Sequence, residues 1–310
     1  MDQPTPHDTS YHEPVMVEEV LSWLEPASNS WIVDCTFGGG GHSRALLDRY
    51  PAVRIVGIDR DADALLQAPD EQRLVVVLAN YADIGTVLDE AELPDRVDGI
   101  LCDLGVSSHQ LDTDERGFSY HRHGPLDMRM GPDTGRTAAD IINHSGEDEL
   151  VSIFTRYGEE QFARRIARAI VKQRPFFDTI DLATCIAESV PAARRRRGHP
   201  ARKVFQALRI VVNDELVAVA RLMDESVQRL APGGRLVVMA YHSLEDRIVK
   251  RALVKHATAC TCPPEIPVCV CGAEPEMKIL TPKAIRPSSA EIERNPRSRS
   301  AVMRVGERIW

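Results

Sequence analysis

The stretch WIVDCTFGGGGHS at residues 31–43 decides the fold, together with IVGIDRD at residues 55–61. In both stretches an apolar run typical of a buried strand ends on an acidic residue, Asp34 in the first and Asp59 in the second. Four glycines at 38–41 follow the first run, where the backbone can approach a ligand without an intervening Cβ. This order of strand, glycine loop, helix and second strand predicts a pocket for a nucleoside.

The glycine loop does not fit a dinucleotide fold, in which the third glycine of G-x-G-x-x-G lets the helix pack on the strand. Ser43 and Arg44 stand where that glycine would be. Residues 34–40 instead fit D-x-T/F-x-G-x-G, the first loop of class I S-adenosylmethionine methyltransferases. This methyl donor carries no phosphate, so it needs backbone contacts for its methionine part and a carboxylate for its ribose hydroxyls. Asp59 is placed to be that carboxylate.

The length of 310 residues suffices for a full core in one large or two unequal domains. No uninterrupted apolar stretch reaches the roughly 18 residues of a membrane span, and residues 1–11 are polar, without the apolar region of a signal peptide. We therefore expect a cytoplasmic protein without membrane contact. Cys35, Cys102 and Cys185 lie in apolar segments, where we expect buried thiols.

The net charge of −8 argues against a protein that coats nucleic acid by bulk attraction. Positive charge is concentrated late in the chain, in Arg194–Arg197 with Arg202 and Lys203, and again over residues 283–308. A single run of this kind is usually a solvated surface. Two such clusters on an acidic protein favour contact with phosphates.

Apolar runs alternate with helix-like stretches, which predicts an α/β fold with a doubly wound, mostly parallel sheet and ligands at the carboxyl ends of its strands. The predicted strands are 31–35, 53–59, 74–79, 97–102 and 234–241. The last two are separated by about 130 residues, far more than a βαβ crossover needs. Helical periodicity fills the gap, including one long helix at 202–230. We expect a first methyltransferase part at 1–112, a helical substrate-recognition insert at 113–200 and a second part at 201–310.

The sequence DLGVSSHQ at 103–110 follows the fourth predicted strand. Amino-group methyltransferases place an (N/D/S)-P-P-(Y/F) motif there. The exocyclic amine of a nucleobase is a poor nucleophile because its lone pair is delocalised into the ring, so the enzyme supplies hydrogen-bond acceptors. Asp103 fits the first position of this motif, but residues 104–106 supply neither the two prolines nor the aromatic residue.

The chain resembles the bacterial 16S ribosomal RNA cytosine-N4 methyltransferase family nearly from end to end. The matching stretches include DCTFGGGGHS at 34–43, DGILCDLGVSSHQLD at 98–112, HPARKVFQALRIVVNDEL at 199–216, APGGRLVVMAYHSLEDRIVK at 231–250 and NPRSRSAVMRVGER at 295–308. The resemblance implies a class I methyltransferase fold with an inserted helical domain and S-adenosylmethionine as donor. The implied substrate is a cytosine of the decoding region, methylated on N4 within the small ribosomal subunit.

The resemblance also implies roles for individual residues. The donor contacts carried over are Gly40, Gly41 and His42 in the loop, Asp59 on the ribose, Tyr81 against the adenine, and Asp103 with Gln110 near the methionine moiety. From the sequence alone, Tyr81 could equally be a half-buried aromatic residue and His42 a residue of the helix start, while Gln110 has no independent argument.

The sequence YHSLEDR at 241–247 follows the fifth predicted strand, and many family members have Phe where Tyr241 stands. His242 and Ser243 could help to build the pocket of the target base, or the segment could be a salt-bridged helix start. Asp103 is the best candidate for the acceptor that shapes the lone pair of the target amine. No catalytic cysteine is needed, because N4 attacks the methyl group directly.

The target base must leave its stack before N4 can reach the methyl group, so aromatic faces are needed to hold it. Phe118, Tyr120 and Phe205 are candidates by position, although each is more typical of a core residue.

Four late cysteines, Cys260, Cys262, Cys269 and Cys271, read C-x-C-x6-C-x-C and predict a Cys-rich hairpin at 260–271. Four thiolates on a short hairpin can bind a structural zinc ion, and in a cytosolic protein zinc is favoured over disulfides. Reduced thiols without metal are the alternative, and the resemblance does not extend to this segment.

Two other functions compete with ribosomal RNA methylation. A DNA amino-methyltransferase is disfavoured by the absent P-P-Y, so DNA is not expected as a substrate. A non-catalytic ribosome assembly factor would bind RNA through the basic insert and keep the donor-binding fold as a scaffold. The intact glycine loop, Asp59 and Asp103 argue against that second alternative.

Overall fold

The protein is described from a computed structural model that covers residues 14–90, 93–131, 135–195, 198–258, 262 and 274–310. The chain divides into two compact units. Residues 1–105 and 216–310 form the first, which we call the sheet unit, and residues 106–215 form the second, which we call the helical unit.

The sheet unit is built on one seven-stranded sheet with the order β3-β2-β1-β4-β5-β7-β6. The pairs among β1 to β5 are parallel, whereas β7 runs antiparallel to both β5 and β6. The strands are β1 (Trp31–Asp34), β2 (Arg54–Asp59), β3 (Leu74–Leu78), β4 (Val97–Asp103), β5 (Leu230–Ala240), β6 (Met277–Ile279) and β7 (Val302–Arg308). The sheet confirms the predicted class I methyltransferase fold and all five predicted strands.

Helices cover both faces of this sheet, and a second set builds the helical unit. The first four are α1 (Val17–Leu24), α2 (Gly41–Arg49), α3 (Ala62–Leu65) and α4 (Ile84–Glu90). The helical unit contains α5 (Ser108–Asp112), α6 (Ala138–His144), α7 (Glu147–Arg156), α8 (Ala163–Gln173), α9 (Thr179–Ser189), α10 (Ala192–Arg195) and α11 (Ala201–Asn213). The sheet unit is completed by α12 (Glu215–Arg229), α13 (Ser243–Ala257) and α14 (Ser289–Arg294).

The central strands are apolar because both of their faces are covered. Val33 of β1 and Ile100 of β4 are fully buried in one core cluster, while Ile32 and Leu101 of the same strands are fully buried in another. From β1 the chain adds β2 and β3 on one side of the sheet, and it then crosses over to add β4 and β5 on the other side of β1. Such a reversal opens a crevice at the carboxyl ends of the strands, where ligands bind in open α/β sheets.

The helical unit has a hydrophobic core of its own. Phe154 of α7 and Ile166 of α8 are fully buried there. This unit begins at Val106 and ends at Glu215, whereas the expected insert was 113–200. The difference arises at its end because α11, which was assigned to the second methyltransferase part, packs Val204 and Leu208 into this core.

The long helix expected at 202–230 is two helices, α11 and α12. Asp214 between them has a left-handed backbone conformation with φ 50°, which ends α11. The buried Asn213 side chain stabilises this end by accepting from Met130 N at 2.8 Å and donating to Met128 O at 2.8 Å. A bidentate ion pair joins Arg209 to Glu215 across the break, with N···O distances of 2.8 and 2.9 Å.

Among the helices of the described residues, none combines the length and the apolar character needed to cross a bilayer.

Candidate donor-binding site

Asp34 organises the glycine loop from the carboxyl end of β1. Its buried carboxylate accepts from Thr36 N at 3.3 Å and from Ser43 Oγ, on α2, at 2.7 Å. Burial raises the pKa of Asp34 above its ordinary value, while His42 and Ser43 act in the opposite direction. Asp34 therefore holds both ends of the loop and contributes to its shape.

Phe37 explains why two of the nearby residues are glycines. A Cβ on Gly40 would lie 2.8 Å from Phe37 Cζ, and a Cβ on Gly57 in β2 would lie 2.5 Å from Phe37 Cδ2. Gly40 also has a φ of 71°, which side-chain-bearing residues rarely adopt. The loop is thus packed onto β2, and a Cβ on Gly41 would lie only 3.0 Å from Pro14 Cγ.

Asp59 lies at the carboxyl end of β2 and contacts the same loop. Its Oδ2 accepts from Gly38 N at 2.8 Å, and its Oδ1 accepts from Asp61 N at 2.9 Å. Burial raises the pKa of Asp59 to about 6, although both backbone N–H groups oppose this shift. A carboxylate offers about four acceptor sites, so it can accept hydrogen bonds from ribose hydroxyls in addition to these two N–H groups.

Asp103 ends β4, next to β1 in the sheet. Its backbone N donates to Thr36 Oγ1 at 2.6 Å, and its Oδ1 accepts a hydrogen bond from the Tyr241 hydroxyl, also at 2.6 Å. Burial, followed by the charge of Asp103, raises the pKa of Tyr241 well above its ordinary value. Tyr241 therefore remains a hydroxyl donor at neutral pH.

His42 is buried in the first turn of α2 and links this turn to two other segments. Its Nε2 lies 2.9 Å from Val15 O, and its Nδ1 lies 4.0 Å from Asp103 Oδ2. Because a carbonyl oxygen only accepts, we assign the proton of the neutral ring to Nε2. Asp34, His42, Asp59 and Asp103 thus lie around one glycine loop, where the sequence predicted a nucleoside pocket.

Tyr81 follows β3 and begins a short 3-10 helix at Tyr81–Asp83, which Asn80 caps by accepting from Ala82 N at 3.0 Å. Its ring is half-buried. Because Leu78 of β3 pairs with Asp59 of β2, Tyr81 lies at the same sheet edge as Asp59. Its contact with adenine stays a prediction.

Gln110 belongs to the helical unit, where it is buried in α5. Its Oε1 accepts from Ser107 N at 3.2 Å, and its own N donates to Ser107 Oγ at 3.2 Å. This reciprocal capping box gives Gln110 a structural function at the start of α5. Its predicted contact with the methionine moiety stays a prediction.

His242 and Ser243 begin α13. His242 caps the helix, with Nδ1 accepting from Glu245 N at 3.3 Å, while Ser243 is exposed. Asp246 forms a bidentate ion pair with Arg304 of β7 at 2.6 and 3.1 Å. The segment is therefore a capped, ion-paired helix start, and a role of His242 or Ser243 at the target base stays a prediction.

Of the three aromatic candidates, Phe118 and Phe205 are buried in the core of the helical unit. Tyr120 is half-buried, and its ring stacks on His199 with centroids 4.9 Å apart and an interplanar angle of 22°. Within the helical unit, Tyr120 is therefore the candidate whose ring is accessible.

The predicted zinc ligands Cys260, Cys269 and Cys271 lie outside the described residues. Cys262 is described as a half-buried free thiol. The zinc site stays a prediction, whereas the predicted burial of Cys35, Cys102 and Cys185 as free thiols is confirmed.

Two contributions to this site were missed from the sequence. Tyr241 was noted only because many family members have Phe there, so its hydroxyl was given no role, and Glu245 was one residue of a segment that could build the base pocket or a helix start. The Glu245 side chain is 1% exposed, and its Oε2 accepts from Tyr241 N at 2.9 Å. A signal was present, because a glutamate three residues into a helix often bonds back to the residues that precede it.

Two solved structures share a distant likeness with this chain. An rRNA methylase from Streptococcus thermophilus has a TM-score of 0.42 and 9% identity, with 95% of this chain and 96% of that chain covered. A putative rRNA methylase from Clostridium thermocellum has a TM-score of 0.41 and 9% identity, with 94% and 95% covered. No conclusion rests on likenesses at this level.

Sequence relatives are much closer. A protein of Heliobacterium mobile called ribosomal RNA small subunit methyltransferase H is 46% identical over 309 residues, covering 96% of this chain and 99% of the relative. Like-named proteins of Carboxydothermus hydrogenoformans and Thermomicrobium roseum are each 47% identical, over 306 and 307 residues, covering 96% of this chain and 98% and 94% of the relatives. Residues 9–309 match the MraW methylase family. The chain belongs to the MraW methylase family.

Proposed function

We propose that this protein transfers a methyl group from S-adenosylmethionine to N4 of a cytosine in the decoding region of 16S ribosomal RNA. The observation that carries the proposal is the placement of Asp59 and Asp103 around one glycine loop, at the carboxyl ends of β2 and β4. The names of the near-full-length relatives support small-subunit ribosomal RNA as the substrate class. The choice of cytosine N4 rests on the family resemblance and on Asp103, which begins the segment where amino-methyltransferases keep their acceptor.

The residues around the loop suit this donor. It has a ribose diol but no phosphate, and Asp59 is a buried acceptor supported by the loop backbone. The bound donor supplies an electrophilic methyl group on a sulfonium centre. We assign its methionine part to the backbone of the glycine loop. Packing also requires glycine at Gly40 and Gly41, because a Cβ there would meet Phe37 or Pro14.

We assign to Asp103 the binding of the exocyclic amine of the target cytosine. A carboxylate oxygen can accept an N–H of the exocyclic amine, which favours a nitrogen lone pair directed at the methyl carbon. In the transfer, the new N–C bond forms as the C–S bond breaks, the C–S electron pair stays on sulfur, and N4 releases one proton. Holding the two reacting atoms about 3 Å apart supplies most of the acceleration.

The charge distribution bears on how an acidic protein binds RNA. Within residues 106–215 basic and acidic side chains are nearly equal in number, whereas the rest of the chain is strongly acidic. On α8, Arg164 and Arg168 lie 3.9 and 3.5 Å from Asp148 and Glu147, so their charge is partly compensated. We assign phosphate contact to Arg194–Arg197 because four consecutive arginines concentrate positive charge. Arg196 and Arg197 lie outside the described residues, as do the side chains of Arg194 and Arg195.

The test is methyl transfer from a labelled donor to three substrates, namely small ribosomal subunits, naked 16S RNA and double-stranded DNA. Nucleoside analysis of the product should show N4-methylcytidine from the subunit, and the Asp59→Asn variant should transfer far less at a donor concentration near the wild-type KM. Labelled DNA would establish the DNA amino-methyltransferase instead. Tight subunit binding without any transfer would establish the assembly factor. A methyl group on another atom would retain the enzyme and overturn the N4 assignment.

A further inference from the structure

The first residue after β5, Tyr241, contacts the proposed acceptor directly. We propose that Tyr241 is a positioning residue whose hydroxyl fixes the orientation of the Asp103 carboxylate for methyl transfer. The inference deepens the proposed function and rests on it. Its basis is the 2.6 Å hydrogen bond from Tyr241 Oη to Asp103 Oδ1 within the sheet unit.

The backbone of Tyr241 is held on both sides. Ala240, before it, pairs with Val302 in the β5–β7 ladder. Tyr241 N donates to Glu245 Oε2 at 2.9 Å, and this glutamate is almost fully buried in the first turn of α13. A residue fixed by a strand on one side and a helix start on the other has little freedom to move its side chain.

The ring of Tyr241 is held as well, against the backbone that follows β4. A Cβ on Gly105 would lie 3.4 Å from Tyr241 Cδ2, which places the ring directly beside this glycine. Gly105 has a φ of 104°, a conformation that a residue with a side chain would adopt only with strain. The chain thus turns sharply two residues after Asp103, and Tyr241 lies against the turn.

The consequence for Asp103 is that its two carboxylate oxygens are not equivalent. Oδ1 accepts the Tyr241 hydroxyl, and Oδ2 lies 4.0 Å from His42 Nδ1. The main chain of Asp103 is fixed through Thr36 Oγ1. With the backbone and one oxygen held, rotation of the carboxylate is restricted, and the direction of Oδ2 is set before any substrate binds.

The Tyr241 hydroxyl also stays protonated. Because burial and the charge of Asp103 raise the pKa of Tyr241 well above its ordinary value, the phenol remains a hydrogen-bond donor to Asp103 Oδ1.

The test compares Tyr241→Phe with Tyr50→Phe. Tyr50 is a matched control, because it is also half-buried in the sheet unit and its hydroxyl donates to Leu21 O at 3.1 Å. We expect Tyr241→Phe to lower kcat for methyl transfer to the small subunit about tenfold with KM unchanged. Tyr50→Phe should change neither kcat nor KM.

Calorimetry with S-adenosylhomocysteine and thermal unfolding complete the test. Both variants should bind this product like the wild type and unfold at similar Tm. A Tyr241→Phe enzyme with the kcat of Tyr50→Phe would overturn the inference alone. So would a fall in product affinity or Tm that accounts for the loss of activity, because Tyr241 would then be structural. A wild-type protein that methylates no subunit would refute the proposed function, and the inference with it.

Discussion

Asp59 Oδ2 accepts the backbone N–H of Gly38 at 2.8 Å, so the carboxylate assigned to the donor ribose also closes the glycine loop. The N–H of Gly38 and the ribose hydroxyls would occupy different acceptor sites of the same carboxylate. Removing the whole side chain would disrupt both, whereas an amide in its place retains one acceptor oxygen and the same shape. Asp59→Asn is therefore the more informative variant.

We expect Asp59→Asn to weaken S-adenosylmethionine binding at pH 8 by about 30- to 1000-fold, because an unpaired ribose diol costs on the order of 2–4 kcal/mol. Calorimetry measures this change. The matched control is Asp98→Asn, since Asp98 also accepts a strand N–H, that of Trp31 at 2.8 Å, but begins β4 rather than ending a strand. Unchanged affinity in Asp59→Asn would place the ribose elsewhere.

The raised pKa of Asp59, about 6 against 3.8 for an ordinary aspartate, predicts opposite effects of pH on binding and on stability. Donor affinity should fall towards tenfold per unit below pH 6, because ribose hydroxyls require the ionised acceptor. Without ligand, the native state binds the proton more tightly than the unfolded state, so this group lowers the unfolding free energy as pH rises from about 4 to 6. Calorimetry and denaturant titration at several pH values should show both effects in the wild type and neither in Asp59→Asn.

Asn213→Ala should lower the free energy of unfolding of the protein by about 3 kcal/mol, because it leaves Met130 N and Met128 O without their buried partner. Urea titration measures this loss. Gln173→Ala, at an exposed position in the last turn of α8, should stay within about 0.5 kcal/mol of the wild type. Equal midpoints for the two variants would mean that Asn213 does not stabilise the break between α11 and α12.

If the late cysteines bind zinc, protein purified without chelator should contain close to one zinc ion per chain. Cys269→Ser should then lower Tm without changing the affinity for S-adenosylhomocysteine, because the hairpin at 260–271 is separate in sequence from the glycine loop. Elemental analysis and thermal unfolding decide. If the wild-type protein contains no metal and has the same Tm as Cys269→Ser, the four cysteines are reduced thiols without zinc.

Replacing Arg194–Arg197 by alanine should weaken binding to the small subunit and reduce the log–log salt slope by roughly one unit per lost phosphate contact. Filter binding at several salt concentrations measures both quantities, and donor affinity serves as the control. An unchanged affinity and slope would identify the run as solvated surface. RNA binding would then be assigned to Arg294, Arg297 and Arg299 near the end of the chain.

The sequence predicted those strands whose residues are apolar along most of their length. Strands β1 to β5 contain clear apolar runs, and β1, β2 and β4 end on Asp34, Asp59 and Asp103. Strand β7 was missed because Arg304 and Arg308 interrupt its apolar residues, although Arg304 is nearly buried through its ion pair with Asp246. Strand β6 was missed because it has only three residues.

The residues of the candidate site also differ in whether the sequence predicts their contacts. The glycine loop and Asp59 lie within one βαβ unit, so their relationship follows from local spacing. Tyr241 and Asp103 are 138 residues apart, and their hydrogen bond depends on the adjacency of β4 and β5 in the sheet. Sequence spacing does not show that adjacency, which is why the hydroxyl of Tyr241 was overlooked.

The placement of the whole helical unit between β4 and β5 has a consequence for the newly made chain. At about 5–20 residues per second, β4 would wait roughly 10 s for β5 to emerge from the ribosome. During that interval β4 has one unpaired edge, while the helical unit is contiguous and can fold first. Asp103 acquires Tyr241 only after 241 of the 310 residues, more than three quarters of the protein, have been synthesised. A truncated product ending before β5 would therefore carry the glycine loop but not the complete site.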